Sequence, residues 1–360
     1  MITDPTDRRR TPGRRTVLHL VGSPVDEFHA ELSRLYAGEC LAALGGDEQY
    51  DAQVAYVSPD GRWRFPSSLD ADALASAVPM NLAEAVSHLT FTSVDVVVPQ
   101  MFCLPGMTSY RALFDVIGIP YVGNPPEVMA IAADKARARA IVSAAGVAVP
   151  AGAVLTSANG STPELPVVVK PVDADNSAGV TLVRDAAELP GAIDLARRHG
   201  RAALVESYIE LGREVRCGII VRDGELICLP LEEYAVNAAK PIRLGADKLD
   251  RRGDGELYLV AKESTRAWIV PTDDPITERV WEAARRCHVA LGCRHYGLFD
   301  FRIDPNGTPW FLEAGPYCSF APTSVIAVMA AAAGIDVADL FATALDELDE
   351  ERTPCLTSPR

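Results

Sequence analysis

A single lysine followed by a loop of small residues is the most informative chemical feature of this sequence. The apolar, β-branched run that begins at Pro166 predicts a buried strand ending at Lys170, and a second short strand is predicted from Val180 to Val183. Between them lie small, hydrogen-bonding residues, whose backbone N–H groups can surround phosphate oxygens while the lysine supplies positive charge. The spacing therefore predicts a phosphate site. The alternative is an ordinary hairpin whose lysine is solvated.

Asp300 and Glu313 form a second candidate group, in a hairpin predicted near the end of the chain. If Asp304 pairs with Pro309 beside the turn, Asp300 lies directly opposite Glu313 on one face of the hairpin. Such side chains have Cβ atoms about 4.5–5.5 Å apart, so two like charges repel each other unless a cation lies between them. Carboxylate oxygens suit Mg²⁺, which takes its remaining ligands from water and substrate phosphates. We predict a Mg²⁺ site here, with Mn²⁺ as a second candidate; two acids on a solvated strand face are the alternative.

The composition restricts the class of protein. A chain of 360 residues with 48% hydrophobic and 23% charged residues is long enough for two or three globular domains. Its net charge of -15 argues against a nucleic-acid partner, because phosphate backbones require a basic surface. No apolar run reaches the roughly 18 residues of a membrane span, so no membrane partner is expected. The apolar stretch after the arginine-rich start ends at Gly22, and no signal peptide is predicted.

The eight cysteines are scattered without a CxxC pair, which is typical of reduced thiols in the cytoplasm. We therefore expect a cytoplasmic protein. One group of neighbouring residues could be mistaken for a zinc site: Cys287, His288, Cys293 and His295. Their spacing fits no tetrahedral zinc pattern, so zinc is not predicted.

Strands and helices alternate in the first third of the chain. Strands are predicted at Val17–Val21 and Val94–Pro99, and helices at Glu27–Leu44 and Thr108–Ile117. This alternation predicts an open, mostly parallel α/β domain. The glycine fingerprint of dinucleotide-binding domains is absent, which disfavours a redox enzyme.

The rest of the chain is predicted to contain strand-rich segments around a long polar stretch. Asn124, followed by two prolines, is predicted to cap a helix. A hairpin is predicted from Glu214 to Leu231, because Asp223-Gly224 is a favoured two-residue turn. The stretch Tyr234–Arg266 is polar with little predicted structure, and a segment of this length is usually functional or disordered.

Taken together, the lysine, the small-residue loop, the polar stretch and the paired acids resemble the ATP-grasp fold, and more closely its D-alanyl-D-alanine ligase branch. The similarity extends from about Val17 to Leu348. Its specific motifs are Ile119-Pro120-Tyr121-Val122-Gly123, Ala133-Asp134-Lys135, Val169-Lys170-Pro171, Asn176-Ser177-Ala178-Gly179, Val205-Glu206 and Phe311-Leu312-Glu313-Ala314.

The resemblance implies an α/β (α+β) protein that binds ATP between its last two domains. The implied division is an N-terminal α/β domain at 16–124, a central subdomain at 125–206 and a C-terminal subdomain at 207–350. Residues 1–15 are expected to form a disordered arm and residues 351–360 a flexible tail. A homodimer is also expected.

The resemblance also implies roles for individual residues. Contacts with ATP are implied for Lys135, Lys170, Asn176, Ser177, Gly179, Glu206, Tyr208, Ile209, Glu214 and Leu312. In this set the two lysines contact phosphates, Glu206 accepts the adenine amino group and Glu214 holds the ribose. The loop residues form a lid over the phosphates, and Ser177 is a catalytic candidate. Lys240, in the polar stretch, would reach the γ-phosphate when that stretch closes.

Several positions depart from the ligase pattern. Leu298 replaces an arginine that anchors the carboxylate of the second substrate, and Gly315 replaces an asparagine that binds the metal, in a position still expected to face substrate. Asp26 or Glu27 could supply the acid that binds the first amino group. The alternative is that an acid at this position is an ordinary negative charge at a helix N-terminus.

Arg302 is a further candidate for catalysis and substrate binding. It lies on the same predicted strand face as Asp300, where a guanidinium could stabilise the transferred phosphoryl group or an oxyanion. A strand arginine that simply pairs with an acid is the alternative.

The sequence as a whole predicts an ATP-dependent carboxylate–amine ligase acting on small amino-acid-like substrates. ATP would phosphorylate a carboxylate, and an amine would then displace phosphate, which requires positioning and charge neutralisation more than a protein nucleophile. Because a free carboxylate against Leu298 would lack a partner, D-alanine with D-alanine is not expected to be the preferred pair. Cyclisation of one activated substrate and nucleotide binding without ligase activity are the alternatives.

Overall fold

The computed structural model describes residues 14–46, 48–157, 160–174, 177–243, 249–251, 257–259 and 266–352. The first strands are β1 (Arg15–Gly22), β2 (Tyr50–Val57), β3 (Trp63–Arg64) and β4 (Val96–Pro99), and the first helices are α1 (Glu27–Leu44), α2 (Ala71–Ser76), α3 (Leu82–Phe91), α4 (Leu104–Met107) and α5 (Ser109–Ile117). The sheet order is β3-β2-β1-β4, and β1 is parallel to both β2 and β4. The predicted parallel α/β domain is confirmed.

Strand β2 does not follow from the local sequence pattern, although it pairs with β1 along its whole length. Only its second half, Val54–Val57, is buried, while the half that begins at Tyr50 carries polar, partly exposed side chains. The strand therefore lacks an apolar run of strand length.

The middle of the chain forms a second, antiparallel sheet. It follows helices α6 (Pro126–Ala132) and α7 (Lys135–Ala144) and contains β5 (Gly152–Leu155), β6 (Val167–Pro171), β7 (Thr181–Val183) and β8 (Ala203–Ser207), with α8 (Leu189–His199) between the last two. The order is β5-β8-β6-β7, so the predicted strand that carries Lys170 is central. Alanines and Ile193 of α8 pack on the apolar face of this sheet.

A six-stranded sheet forms the C-terminal part. Its strands are β9 (Arg213–Arg222), β10 (Glu225–Cys228), β11 (Glu232–Tyr234), β14 (Ala267–Ile269), β15 (Tyr296–Ile303) and β16 (Pro309–Ala314). Two further strands, β12 (Leu249–Arg251) and β13 (Leu257–Leu259), pair only with each other. The helices of this part are α9 (Thr277–Leu291), α10 (Val325–Ala332) and α11 (Val337–Arg352). Ala138 and Val142 of α7 share an apolar core with α9 and β15. Helix α7 thus packs with the C-terminal sheet, and the division into domains at the predicted residues stays a prediction.

The central strands β9 and β15 have one apolar and one partly charged face. On the apolar face lie Val215, Cys217, Ile219, Phe299, Phe301 and Ile303, all in one buried core. On the other face Glu214 lies opposite Arg302, and Arg216 lies opposite Asp300. Since side chains alternate along a strand, a register slip of one residue would bury these four charges in the core. The core therefore fixes the position of the charged residues.

Asp300 lies opposite Glu313, as predicted, but the route to that register differs. The structure pairs Ile303 with Pro309 instead of Asp304 with Pro309, and an irregularity at Asp300 restores the alignment. Phe301 pairs with Phe311, which leaves Leu312 as the extra residue of a β-bulge. The shift of one residue beside the turn and the shift of one residue at the bulge cancel, so Asp300 and Glu313 still face each other.

Asn124 does not cap α6. Pro125 is the N-cap residue, and the Asn124 amide instead donates to Tyr296 O (2.8 Å) and Pro316 O (2.7 Å). Its carbonyl oxygen accepts from Arg294 N at 2.6 Å. The side chain links the start of α6 to β15, a long-range role that local sequence does not reveal.

Several expectations concern residues at the limits of the described chain. Residues 1–13 of the expected arm and 353–360 of the expected tail lie outside it, while β1 begins at Arg15 and α11 continues to Arg352. In the described part, no single helix is long and apolar enough to cross a membrane; α10 and α11 meet those criteria only as a pair, with a bend of 106° between them. The same residues contain no group of three or more His, Cys, Asp or Glu side chains that could hold a metal, which includes the four residues considered for zinc.

Candidate active site

Lys170 is buried, not solvated. Its Nζ lies 2.6 Å from Glu206 Oε2, and the other oxygen of Glu206 lies 3.1 Å from Arg139 Nε. Lys170 also donates to the backbone oxygen of Leu312 at 3.4 Å. Since Leu312 belongs to β16, the lysine connects the four-stranded sheet to the six-stranded sheet. The solvated-hairpin alternative is wrong.

A narrow cavity of about 110 Å³ lies beside Lys170, between the two sheets. Eight of the residues predicted to contact ATP line this cavity, which we call the ATP cavity after that prediction: Lys135, Lys170, Ser177, Glu206, Tyr208, Ile209, Glu214 and Leu312. Of the other two, Asn176 lies outside the described residues. Gly179 does not line the cavity, but the next residue, Val180, does.

Gly179 has a structural reason to be glycine. Its φ is +69°, and an added Cβ would lie 2.9 Å from His199 Cδ2 and 3.2 Å from Pro171 Cγ. Ser177 also has a positive φ of 58°. The loop thus takes a left-handed turn close to β6, in the position predicted for a phosphate-binding loop.

Glu214 and Arg302 form a buried ion pair in the ATP cavity. Arg302 Nη2 lies 2.7 Å from Glu214 Oε2 and donates to Pro241 O at 2.6 Å. The guanidinium carbon lies 5.5 Å from the centre of the Tyr208 ring. Arg302 therefore pairs with an acid, as its alternative interpretation had it, and lines the ATP cavity.

The two facing acids each have a protein cation. Arg216 donates to Asp300 through Nε and through Nη2, the second at 2.5 Å from Oδ2. Lys135 Nζ lies 3.2 Å from Glu313 Oε2 and donates to Ala174 O at 2.6 Å. Burial acts to lower the pKa of Arg216, but the Asp300 carboxylate more than offsets this and holds that pKa well above its ordinary value. Arg216 and Lys135 thus supply at least part of the positive charge that was expected between Asp300 and Glu313.

A second cavity, of about 650 Å³, opens on the other side of the paired acids. We call it the substrate cavity. We call its charged lining residues the polar wall: Lys135, Asp173, Arg216, Asp300 and Glu313. We call its large apolar lining residues from the N-terminal part of the chain the apolar wall: Val25, Phe28, Phe102, Leu104 and Met107. Gly315 and Leu298 also line it. The cavity therefore offers both charged groups and large apolar side chains to a ligand.

The acids predicted after β1 do not line either cavity. Asp26 caps α1, accepting from His29 N at 2.8 Å and contacting His29 Nδ1 at 2.7 Å. Burial acts to raise the Asp26 pKa, but the hydrogen bonds with His29 lower it below its ordinary value. Glu27 is largely exposed and pairs with Arg34. The helix N-terminal role is the one observed, and it is Val25, Phe28 and His29 that reach the substrate cavity.

Sequence reasoning missed two arginines. Arg216 lines the substrate cavity, and Arg243 lines the ATP cavity with its guanidinium 3.5 Å from the centre of the Tyr234 ring. The alternation of β9 contained a signal for Arg216, since it shares a strand face with Glu214. Lys240 lines neither cavity; its backbone closes a turn with Asn237 (3.1 Å).

Residues 153–346 match the sequence model of the family described as "D-ala D-ala ligase C-terminus". This match covers more than half of the chain. The chain belongs to the D-alanyl-D-alanine ligase family. The predicted ATP-grasp membership and the predicted class of enzyme, an ATP-dependent ligase that forms a C–N bond, are confirmed.

Similarity to other ligases extends beyond the matched region. The D-alanine–D-alanine ligase of Mycolicibacterium smegmatis is 28% identical, over 93% of this ligase and 95% of that protein. The D-alanine–D-alanine ligase of Rhodococcus jostii is 29% identical, over 88% and 92% respectively.

Solved structures share the fold. The VanG D-Ala:D-Ser ligase from Enterococcus faecalis superposes with a TM-score of 0.75 at 23% identity, over 93% of this ligase and 99% of that chain. The D-alanine-D-alanine ligase from Coxiella burnetii gives a TM-score of 0.76 at 19% identity, over 94% and 95%. The predicted α/β ATP-grasp fold is confirmed.

Proposed function

We propose that this ligase joins two amino acids through an acyl phosphate. A substrate carboxylate oxygen attacks the γ-phosphorus of ATP, and ADP leaves. The amine of a second substrate then attacks the acyl carbon, and inorganic phosphate leaves as the C–N bond forms. Proximity and charge neutralisation supply most of the catalysis in such chemistry.

The observation that carries this proposal is the shared boundary of the two cavities. Lys135, Ala174, Asp300 and Glu313 line both the ATP cavity and the substrate cavity. A γ-phosphate and a substrate carboxylate can therefore meet at this boundary. Lys135 would neutralise charge on the transferring phosphoryl group there.

The remaining nucleotide contacts follow from the lining of the ATP cavity. Lys170 would hold a phosphate, and Ser177 with the loop around it would cover the phosphates. Glu206 and Glu214 keep acceptor capacity besides their ion pairs, since each carboxylate has about four lone-pair sites for the adenine amino group or the ribose hydroxyls. Arg302 would support Glu214 and the nucleotide, and Lys240 would approach the γ-phosphate only after movement of its segment.

The paired acids fit a divalent metal, which we propose to be Mg²⁺. Asp300 and Glu313 provide hard carboxylate oxygens at the point where the phosphates would enter, and Mg²⁺ commonly takes one or two carboxylates and completes its shell with water and phosphate oxygens. When bound, the metal would offset negative charge on the phosphates. Mn²⁺ would fit the same donors.

The finer part of the proposal concerns substrate choice. The substrate cavity of about 650 Å³ lies within the range of roughly 300–1,000 Å³ that holds drug-sized ligands. Its apolar wall would leave unfilled space beside the methyl group of alanine. We therefore propose that a larger apolar amino acid is preferred to D-alanine in at least one position. Three of the relatives named above are D-alanine–D-alanine ligases by name and the fourth is a D-Ala:D-Ser ligase, but a shared fold does not fix the substrate.

A panel of amino acids tests this proposal. D and L forms of alanine, serine, valine, leucine and phenylalanine are added alone and in pairs, and Mg²⁺-dependent ADP formation is measured for each. Mass spectrometry identifies any condensed product. A larger apolar substrate should exceed the D-alanine pair by at least about tenfold in kcat/KM, the effect of one or two well-packed methylenes. A D-alanine pair as fast as any other overturns the finer proposal, and the absence of any condensed product overturns the ligase function.

A homodimer is proposed as well. It stays a prediction, and light scattering of the purified protein with and without ATP measures it.

A further inference from the structure

We propose that Arg216 binds the carboxylate of the amine-donating amino-acid substrate in the substrate cavity. The proposal rests on the proposed function and names the group that would hold the end of the substrate that does not react. It adds a specificity residue that neither the motifs nor the predicted metal acids supplied.

The position of Arg216 is fixed by strand pairing. It lies on β9 directly opposite Asp300 of β15, and both side chains reach the polar wall of the substrate cavity. The ring of Tyr234 packs on the guanidinium, whose central carbon lies 5.5 Å from the ring centre. This contact holds a planar cation in one orientation before any substrate binds.

Arg216 keeps donors for a ligand. Within the described residues, its hydrogen bonds go to Asp300 from Nε and Nη2. A guanidinium has five N–H donors, so three remain, and the two on Nη1 are available for a carboxylate. The side chain is 16% exposed, which places these donors in a largely desolvated wall where a charge-assisted hydrogen bond is strong.

Other residues in the cavity are less suited to the role. Among the described lining residues, Lys135 is the other permanently charged cation, and it is held by Glu313 and by the backbone oxygen of Ala174 on the nucleotide side. Leu298 has no donor and is buried in an apolar cluster with Phe320 and Ile326. A carboxylate near β15 therefore finds its guanidinium on the neighbouring strand.

This placement also changes the argument about D-alanine. The absence of an arginine at Leu298 does not remove a guanidinium from the cavity, since Arg216 lies one strand away and two residues further along. Substrates that carry a carboxylate thus remain acceptable, and the size of the apolar wall decides among them.

A cycle that alters protein and substrate together tests the role of Arg216. With an amino acid active in the panel as the carboxylate donor, leucine and leucinamide, in both D and L forms, serve as the amine-donating substrate in ligation by wild type and by Arg216→Gln. The wild type should prefer leucine over leucinamide by about 100-fold in kcat/KM, because leucinamide has a neutral amide where leucine has the carboxylate that Arg216 would bind. Arg216→Gln should lower this preference to less than about threefold. Arg216→Lys should restore part of the preference, because lysine keeps the positive charge but not the planar fork.

Calorimetry of the same probes binding to the protein with ADP and Mg²⁺ gives a second readout that needs no turnover. Arg222→Gln is the matched control, because Arg222 lies on the same strand, lines neither cavity and contacts Thr343. A preference for the acid that survives in Arg216→Gln, in ligation or in calorimetry, overturns the proposal. If no probe is ligated but calorimetry still shows an Arg216-dependent preference, the ligase function fails for these probes and the carboxylate site stands.

Discussion

Lys170→Met is expected to lower kcat/KM for ATP by about 10²–10³ and to destabilise the fold as well. The catalytic loss follows from removing a positive charge aimed at a phosphate in a site that excludes water. The stability loss follows from burial, because Lys170 lies 2.6 Å from the buried carboxylate of Glu206. Deleting one partner of such a charged hydrogen bond costs about 1.5–3 kcal/mol, which urea unfolding measures.

Arg139→Met separates the two effects. Arg139 contacts the other oxygen of Glu206 at 3.1 Å but does not line the ATP cavity. It should show a similar loss of unfolding free energy with less than a tenfold loss of kcat/KM for ATP, or about 1.4 kcal/mol. If both variants lose ATP activity equally, Lys170 acts only through the stability of its strand.

Asp300→Asn should lower kcat by about 10³ and weaken Mg²⁺ binding in the presence of ADP. The substitution removes one carboxylate of the proposed metal site and leaves the Arg216 guanidinium without its charged partner. Loss of electrostatic stabilisation at the transferring group is expected to account for most of the effect. Calorimetric titration of Mg²⁺ measures the first part and single-turnover ADP formation the second.

Asp274→Asn is the matched control for this variant. Asp274 also pairs with an arginine, accepting from Arg213 Nη1 at 2.9 Å, but it lines neither cavity. It should keep the Mg²⁺ affinity and turnover of the wild type. An Asp300→Asn protein with unchanged Mg²⁺ affinity would show that the pairing with Arg216 is a purely structural one.

The sequence predicted those features that depend on local pattern. The strand ending at Lys170, the helix Glu27–Leu44 and the turn at Asp223-Gly224 follow from apolar runs and turn chemistry, and the structure contains each of them. Most of the predicted nucleotide residues line one cavity, since the motif placed them at strand ends that meet between two sheets. The role of each of these residues stays a prediction.

Features that depend on pairing between distant segments were not predictable. Arg216 and Asp300 are 84 residues apart in the chain, and only the register of β9 against β15 brings them together. The contacts of Asn124 with β15 have the same origin. The buried ion pair of Lys170 with Glu206 was not predicted, because the expected role of Glu206 was an adenine contact only.

The path of oxygen atoms tests the central claim most directly. An amino acid active in the panel, labelled with ¹⁸O in both carboxylate oxygens, is turned over with ATP, Mg²⁺ and its partner. The acyl phosphate route predicts one ¹⁸O atom in the inorganic phosphate released per bond formed and one in the carbonyl of the new amide. Phosphate without ¹⁸O, or ¹⁸O in AMP, would contradict phosphorylation of the carboxylate at the boundary formed by Lys135, Asp300 and Glu313.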